Sequence, residues 1–530
     1  MTSVTIWQSV PDWHDPCGGK RMVTPTRSLW LDTAPTLPQD THFPALDRDL
    51  EVDVAIVGGG IAGITAALLL KRAGKTVALV EKDRIAGGET GNTTAHLTEA
   101  IDTGYKTVSS DFGADGARLV AGSSRDSIAH IERLIAEHRI DCGFKRLPAY
   151  LYAEDDQGVE TLREEEEHAR RAGVEVAFTS DVPLPFPVKG ALRFPNQAAF
   201  HPTEYILPLA CAIPGDGSHV FEDTHAHRFE DGEPCRLTTS GGVITARDVL
   251  VLANVPVNDT VLLITKLYAY RTYAVGARVE EELPGLFWDT ADPYHYTRTQ
   301  RTRDGVVLFA GGEDHKTGTD DDTEARYRGL EVYAREKFGS LGVQTIDYRW
   351  SGQVIETADG LPYIGQNPID GHVWVGTGFS GNGMTFGTLA AMILSDLVLG
   401  LENAYANLYW PSRVKPLASA ATYLSENVDF PRYFIQDRLL RANVEGDSVE
   451  DVKPGEGRII SLGGEKLAVS RDEHGAVHTL SPICTHLACD VSWNGAERSW
   501  DCPCHGSRFA PDGAVLNGPA TKPLEQKALA

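Results

Sequence analysis

Positive charge is scarce in this chain of 530 residues, in which 49 lysines and arginines stand against 74 aspartates and glutamates, for a formal net charge of −25. Nucleic acids and anionic membrane surfaces attract proteins through clustered positive charge. This balance therefore excludes both from the expected partners.

Long apolar runs are also missing. The uncharged run Val54–Leu70 is short for a bilayer span and contains a glycine-rich turn. Residues 1–30 mix charges, proline and tryptophan, without the apolar centre of a signal peptide. We therefore predict no transmembrane segment and no secretory leader.

Cysteine is sparse, with eight residues in the chain. Cys17, Cys142, Cys211 and Cys235 are scattered, which is typical of free thiols in a reducing compartment. We therefore predict a cytoplasmic location. The other four cysteines lie in two short boxes near the end of the sequence.

Each box combines cysteine with histidine: Cys484 precedes His486 in the first, and Cys502 precedes His505 in the second. A Rieske [2Fe–2S] cluster needs two thiolates on one iron and two imidazoles on the other. A structural zinc site accepts the same ligands. The residues alone leave both interpretations open, and the extra cysteine in each box favours the cluster.

The region 449–530 resembles a Rieske domain in both boxes and in the later Gly-Pro-Ala loop at 518–520. The resemblance implies that Cys484 and Cys502 bind one iron and that His486 and His505 bind the other.

The same resemblance implies a disulfide between Cys489 and Cys504. Ser507 is retained as a donor to a bridging sulfide. The chain departs from the family at Ala488, which is usually glycine, and at Phe509, where high-potential members carry a tyrosine. Hydrogen bonds to sulfur raise the potential, so we predict a potential below the top of the Rieske range.

A second motif lies near the other end of the chain. The apolar run 54–57 predicts a buried strand, the sequence Gly-Gly-Gly-Ile-Ala-Gly at 58–63 a tight turn, 61–73 a helix and 76–80 the next strand. In such a βαβ unit Gly58 allows the turn, Gly60 lets the backbone approach a pyrophosphate, and Gly63 lets helix and strand pack closely. Glu81 is placed to accept ribose hydroxyls. The unit predicts a dinucleotide without deciding between FAD and NAD.

Four further segments, 84–98, 249–254, 359–365 and 376–384, resemble those of the D-amino-acid oxidase/glycine oxidase superfamily, in that family's order. The resemblance implies FAD. It assigns FAD contacts to Gly58, Gly60, Ile61, Ala62, Gly63, Glu81, Lys82, Thr90, Thr94, Gly378, Phe379, Gly381, Asn382, Gly383 and Met384.

The expected fold is an α/β FAD-binding Rossmann-type (glutathione-reductase-like) domain with an antiparallel substrate sheet, followed by an all-β Rieske domain. We predict an N-terminal arm at 1–50 and an oxidoreductase domain at 51–414, with substrate regions inserted at about 143–200 and 264–350. A helical connector is predicted at 415–448 and the Rieske domain at 449–530.

The strand after residue 292 is expected to roof the flavin by the same resemblance. Tyr294, Tyr296 and Arg298 would share one of its faces. We predict catalytic roles for Tyr296 and Arg298, with Arg298 holding a substrate carboxylate, although a surface arginine at the strand rim is an equal alternative. His96 lies where some relatives link FAD covalently, but the motif around it differs from theirs.

These features predict an FAD-dependent oxidoreductase that oxidises an amine or amino acid and passes electrons through the cluster to an acceptor protein or a quinone. One alternative is an NAD(P)H-driven reductase, although residues 100–450 contain no second glycine-rich βαβ motif. Another is a non-catalytic redox sensor.

Overall fold

A computed structural model of the chain describes residues 27–35, 42–258, 261–413 and 448–528. Residues 414–447, which include most of the connector predicted at 415–448, lie outside the described residues. Most of the predicted N-terminal arm, including Cys17, also lies outside them. The α-helices are α1 Leu29–Asp32, α2 Ile61–Arg72, α3 Tyr105–His138, α4 Asp156–Arg171, α5 Pro202–Cys211, α6 Val261–Ile264, α7 Thr323–Phe338, α8 Gly383–Val398 and α9 Ala406–Tyr409.

The strands of the described residues form four sheets. In chain order they are β1 Leu50–Val57, β2 Val77–Val80, β3 His96–Leu97, β4 Lys145–Ala153, β5 Ala177–Thr179, β6 Gly190–Ala199, β7 His219–Phe221, β8 Ala226–Glu230, β9 Cys235–Thr239, β10 Val243–Val251, β11 Leu267–Val279, β12 Leu286–Asp289, β13 His295–Thr302, β14 Gly305–Lys316, β15 Ile346–Thr357, β16 Tyr363–Gln366, β17 Val373–Thr377, β18 Gly457–Leu462, β19 Glu465–Arg471, β20 Val477–Leu480, β21 Ser492–Asn494, β22 Ser499–Asp501, β23 Arg508–Phe509 and β24 Val515–Asn517.

The first sheet has the order β16-β17-β10-β1-β2-β7, and the strands from β17 to β7 run parallel. Its central strands are almost wholly apolar, which is typical of parallel strands covered on both faces. Helices α2 and α8 pack against each other beside it. The predicted strand–turn–helix–strand unit is confirmed, because α2 begins at Ile61 directly after the glycine turn.

The second sheet has the order β15-β11-β14-β13-β12-β4-β6-β3, with β5 beside β6. It is antiparallel except for the parallel pair β4 and β12. The two predicted substrate regions therefore form one continuous sheet, because β4 of the first region pairs with β12 of the second.

The C-terminal region contains two small antiparallel sheets, β18-β19-β20 and β21-β22-β23-β24. Alternating residues at 458–462, 466–470 and 476–480 predict three strands, and the structure confirms them as β18, β19 and β20. A separate apolar core around Trp500 and Phe509, both fully buried, holds the loops that carry the Cys-His boxes.

The described part of the N-terminal arm packs onto the oxidoreductase domain. Trp30 of α1 is fully buried and meets the rings of His201 and Phe309 edge-on, with centroids 4.7 and 5.0 Å away. Among the helices of the described ranges, none combines the length and the apolar character that a bilayer span requires.

Candidate active site and iron–sulfur centre

One cavity of about 340 Å³ lies where β1, β2 and β10 end. Its volume falls in the range of small-molecule sites, about 300–1,000 Å³. The second sheet covers it through side chains such as Thr272, Trp288 and Tyr296, and residues 515–518 of the Rieske region close one side. The cavity therefore borders the first sheet, the second sheet and the C-terminal sheet that contains β24.

The glycine turn forms one wall of this cavity, and the structure gives a reason for three of its four glycines. Gly58 has φ +111°, and a Cβ there would lie 2.3 Å from the Leu252 carbonyl oxygen. A Cβ on Gly63 would lie 1.9 Å from the Gly58 oxygen, and one on Gly60 would lie 2.9 Å from Thr90 Oγ1. The backbone is thus kept bare where a pyrophosphate would approach the N-terminus of α2.

Glu81 follows β2 at the edge of the cavity. Its two carboxylate oxygens accept hydrogen bonds from the backbone N–H groups of Gly59, at 2.7 Å, and Asp83, at 2.9 Å. Burial raises the pKa of this carboxyl group. The position suits an acceptor for ribose hydroxyls, as the sequence predicts.

The structure brings most of the predicted FAD contacts to this cavity. Those that line it are Gly58, Gly60, Ile61, Ala62, Glu81, Lys82, Thr90, Thr94, Phe379, Gly381, Asn382, Gly383 and Met384. Gly63 and Gly378 lie behind the wall instead. A Cβ on Gly378 would lie 2.2 Å from Thr357 Cγ2, so this glycine serves close packing.

Lys82 lines the cavity at its Rieske end. Its Nζ donates to the carbonyl oxygens of Val515, at 3.2 Å, and Leu516, at 3.1 Å, and pairs with Asp83 at 2.6 Å. The lysine therefore ties the edge of the cofactor cavity to the Rieske region.

Two of the three predicted roof residues face the cavity. Tyr294 and Tyr296 line it, and the Tyr294 hydroxyl donates to Asp314 Oδ2 at 2.9 Å. The Tyr296 hydroxyl lies 2.9 Å from Thr272 Oγ1. Burial raises the pKa of Tyr294 and that of Tyr296, so both phenols stay protonated at neutral pH.

The structure corrects the prediction that Arg298 holds a substrate carboxylate in the cavity. Its guanidinium is buried away from the cavity, where it donates to the carbonyl oxygens of Thr94, at 2.7 Å, and Phe200, at 3.2 Å. The Trp30 and Phe309 rings lie 5.2 and 5.4 Å from it. Burial lowers the pKa of Arg298 to about 9. The contact with Thr94 ties the flavin loop to the roof strand. The burial of Arg298 also contradicts the alternative of a surface arginine at the strand rim.

The sequence interpretation missed Asp102 and Gln353, which both line the cavity. Neither belongs to a motif with characteristic spacing, so the sequence offered no signal for them. Only the approach of distant segments reveals them: Asp102 meets Gly381, and Gln353 meets Gly506 of the Rieske region.

The two Cys-His boxes come together at the predicted iron–sulfur centre. The Cys484 and Cys502 thiols are buried and hydrogen-bond to each other, which lowers the pKa of Cys484 to about 7 and raises that of Cys502. The His486 and His505 rings lie 5.1 Å apart, nearly perpendicular. Burial lowers the pKa of His505 to about 4, which favours the neutral imidazole that binds metals.

Cys489 and Cys504 are joined by a disulfide, as the resemblance implied. Their sulfurs lie within 4.8 Å of the Cys502 sulfur, so the bridge sits beside the centre. The Ser507 hydroxyl hydrogen-bonds to the Cys484 thiol and lowers its pKa further. Two thiols and two imidazoles on adjoining loops fit the donor set of a Rieske cluster.

The second box packs directly on the oxidoreductase domain. Gln353 Nε2 donates to the Gly506 carbonyl oxygen at 2.6 Å. A Cβ on Gly506 would lie 2.2 Å from Ala269 Cβ, so only glycine allows this approach. Gln353 thereby contacts both the cofactor cavity and the loop that follows His505.

Comparison with known proteins agrees with this architecture. The family described as FAD dependent oxidoreductase matches residues 53–397, and the Rieske [2Fe-2S] domain family matches residues 443–528. A protein of Bacillus subtilis (strain 168), YhfW, whose name describes a Rieske 2Fe-2S iron-sulfur protein, is 36% identical over 488 residues, covering 91% of this chain and 95% of its own. Gamma-glutamylputrescine oxidoreductase of Escherichia coli (strain K12) is 27% identical over 425 residues, covering 75% of this chain and 95% of its own.

Solved structures share the fold of the oxidoreductase domain. Glycine oxidase from Geobacillus kaustophilus superposes with a TM-score of 0.60 at 22% identity, covering 69% of this chain and all of its own. L-proline dehydrogenase from P. horikoshii gives 0.58 at 20% identity, covering 70% and 98%. The chain therefore belongs to the FAD dependent oxidoreductase family, as an enzyme that binds FAD and carries a C-terminal Rieske domain with its [2Fe–2S] cluster.

Proposed function

We propose that this enzyme oxidises an amine-type or amino-acid-type substrate and delivers the electrons, through the Rieske centre of the same chain, to an external acceptor that is a protein or a quinone. Bound FAD supplies hydride acceptance from a carbon next to nitrogen, and the [2Fe–2S] cluster supplies transfer of single electrons. The protonated amine first loses a proton to water or a nearby carboxylate, and the neutral amine then loses the hydride and becomes an iminium. Water converts the iminium to a carbonyl compound and ammonia or an amine. The two electrons then leave the chain singly, and the remaining protons pass to water.

The observation that carries this proposal is the position of Gln353. This buried side chain lines the cofactor cavity, and its Nε2 donates to the Gly506 oxygen at 2.6 Å. Gly506 directly follows His505, the predicted iron ligand. One residue thus separates the cavity wall from the cluster loop, which supports transfer within the chain.

Buried polar contacts hold the two parts in this arrangement. Arg271 of β11 pairs with Glu497 at 2.8 Å, and Glu497 also pairs with Arg508 at 2.8 Å. Thr323 Oγ1 donates to Asn494 Oδ1 at 2.8 Å. These contacts support a fixed position of the Rieske region, because Arg271 and Thr323 of the oxidoreductase domain have these partners only when the two parts are docked.

The test is an anaerobic rapid-mixing experiment on the full chain with bound FAD and cluster. An amine substrate should bleach the flavin absorbance, and frozen samples should then develop the electron paramagnetic resonance signal of a reduced Rieske cluster. Because transfer stays within one chain, its rate should not change when the protein concentration is doubled.

Three outcomes would overturn the proposal. A rate proportional to protein concentration would mean that electrons pass between molecules. Bleaching by NADH and by no amine or amino acid would favour the reductase, and bleaching by none of them would favour the redox sensor.

A further inference from the structure

The substrate end of the cavity is built around a carboxylate. The Asp102 side chain is exposed, and it opens to the cavity. Asp102 Oδ2 accepts a hydrogen bond from the Gly381 N–H at 2.6 Å, which places the carboxylate beside the predicted flavin segment. Desolvation by the cavity walls raises the pKa of Asp102, only the Gly381 hydrogen bond opposes this shift, and no positive side chain contributes to it.

Tyr294 adds a second acceptor at the same end. Its hydroxyl proton is donated to Asp314 Oδ2, so its oxygen presents only lone pairs to the cavity. Asp102 and Asp314 each raise the pKa of Tyr294, which places the three groups in one electrostatic cluster. Asp314 thus orients the phenol and adds negative charge.

Positive groups near the cavity do not offset this charge. Lys82 is held at the Rieske end by Asp83 and by the carbonyl oxygens of Val515 and Leu516. Arg298 points away from the cavity and is held by Thr94 and Phe200.

His96 lines the cavity opposite Tyr296, with ring centroids 6.0 Å apart. Burial, followed by the nearby Arg298, lowers the pKa of His96 to about 3, so the ring is neutral. Its Nε2 atom is buried without a hydrogen-bond partner among the described residues. Buried polar atoms normally have hydrogen-bond partners, so this ring nitrogen at the cavity wall indicates that a bound ligand supplies the missing partner.

We propose that this end of the cavity selects a protonated amine whose reacting carbon carries no carboxylate, with Asp102 and the Tyr294 oxygen receiving the ammonium group. The inference rests on the proposed function and narrows its substrate to amines, as distinct from α-amino acids. A substrate carboxylate would meet the Asp102 and Asp314 charges, and no lysine or arginine among the described cavity-lining residues stands at this end to receive it.

Two matched pairs of compounds test this selection. Butylamine and norvaline differ only by an α-carboxylate, and so do 1,4-diaminobutane and ornithine. Each amine should give a kcat/KM at least about 10-fold above its amino acid in either enantiomer, because repulsion of one carboxylate exceeds the free energy of a tenfold ratio. Equal or greater activity with the amino acids would overturn the inference while leaving the proposed electron route standing.

A binding measurement separates recognition from turnover. Enzyme reduced with dithionite has no oxidised flavin to accept a hydride, so calorimetric titration with 1,4-diaminobutane reports binding alone. Asp102→Asn should weaken this binding by about 10- to 100-fold, the range expected for a hydrogen bond to a charged group. Asp314→Asn should weaken it less, because Asp314 acts through Tyr294.

Asp321→Asn, at an exposed position before α7, is the matched control and should bind as the unaltered protein does. FAD content is measured for each variant by absorbance after denaturation, so that loss of cofactor through the Gly381 contact is recognised. Unchanged amine binding in Asp102→Asn with full FAD content would contradict the assignment. Asp314→Asn provides a second test if Asp102→Asn fails to fold.

Discussion

Arg271 and Glu497 form a buried ion pair across the boundary between the oxidoreductase domain and the Rieske region. The nitrogen and oxygen atoms lie 2.8 Å apart, and the side chains are 2% and 8% exposed. Glu497 also forms an ion pair with Arg508, so one carboxylate pairs with a guanidinium group from each side of the boundary. The pair fixes the distance between the cofactor cavity and the Cys-His loops.

Arg271→Ala should reduce the free energy of unfolding by about 3–5 kcal/mol, because it leaves the Glu497 charge buried with one partner fewer. Urea unfolding followed by tryptophan fluorescence measures the change. Arg228→Ala removes an exposed pair with Glu230 and should change stability by less than about 1 kcal/mol. Equal effects of the two substitutions would contradict the role of the buried pair.

Acid should weaken the same boundary. Burial opposes the Glu497 charge, but Arg271 and Arg508 outweigh it and lower the pKa of this carboxyl group to about 2 from an ordinary 4.5. A carboxyl group with a lowered pKa contributes stability above its unfolded value and loses it as the pH falls through the folded value. We expect Glu497 to contribute about 3 kcal/mol that disappears between about pH 4.5 and pH 2. Urea midpoints across this range, compared with those of Glu497→Gln, isolate the contribution.

Gly506→Ala should slow electron transfer to the cluster while leaving flavin reduction by substrate unchanged. The new Cβ would lie 2.2 Å from Ala269 Cβ and 2.7 Å from Gln353 Nε2, at a φ of +75°. The second Cys-His loop must therefore move away from the cavity wall. Rapid-mixing kinetics of the flavin and the cluster give the two rates separately.

The control for this variant is Gly464→Ala, which has a similar φ of +84° but nothing within 4 Å of the added atom. It shares the backbone strain without the clash, so its transfer rate should match that of the unaltered protein. A slowed rate in both variants would assign the effect to strain in the Rieske region.

Gly63→Ala should abolish FAD binding. Its Cβ would lie 1.9 Å from the Gly58 oxygen, which forces α2 away from β1 at the pyrophosphate turn. Gly339→Ala, where a Cβ meets nothing within 4 Å, should keep full FAD content. The ratio of flavin to protein absorbance in the purified variants is the measurement, and retained FAD in Gly63→Ala would be incompatible with this packing.

Phe509→Tyr should raise the potential of the cluster. Phe509 is fully buried in the core that contains Cys484 and Cys502. High-potential Rieske domains carry a tyrosine at the corresponding position. A hydrogen bond of about 1 kcal/mol from the new hydroxyl corresponds to about 40 mV for one electron. Redox titration of the cluster signal measures the shift, with Phe229→Tyr on distant β8 as the control. An unchanged potential would mean that the hydroxyl does not reach a sulfur.

Local motifs in the sequence predicted the cofactors and much of the fold. The turn from Gly58 to Gly63 needs glycines at fixed spacing between a strand and a helix, and this requirement is visible in a single segment. The Cys-His boxes are similar, because each loop supplies its pair of ligands from neighbouring residues. The alternating residues of β18 to β20 likewise predicted strands whose pleat places every second side chain in the core.

The role of Arg298 illustrates where this reasoning failed. Alternation along β13 placed it on the face of Tyr296, but it could not reveal that two carbonyl oxygens and two aromatic rings from other segments surround the guanidinium. A strand pattern fixes the direction of a side chain and leaves its partners to the packing of distant elements.

The sequence by itself determined which cofactors this enzyme binds, because the iron ligands and the glycine turn that contacts the dinucleotide lie in short contiguous segments. Only the tertiary structure decided that Gln353 contacts the loop after His505 and that Asp102 meets Gly381 at the cavity. These contacts join residues separated by 153 and 279 positions. Their geometry depends on how whole sheets pack, which no local spacing in the chain records.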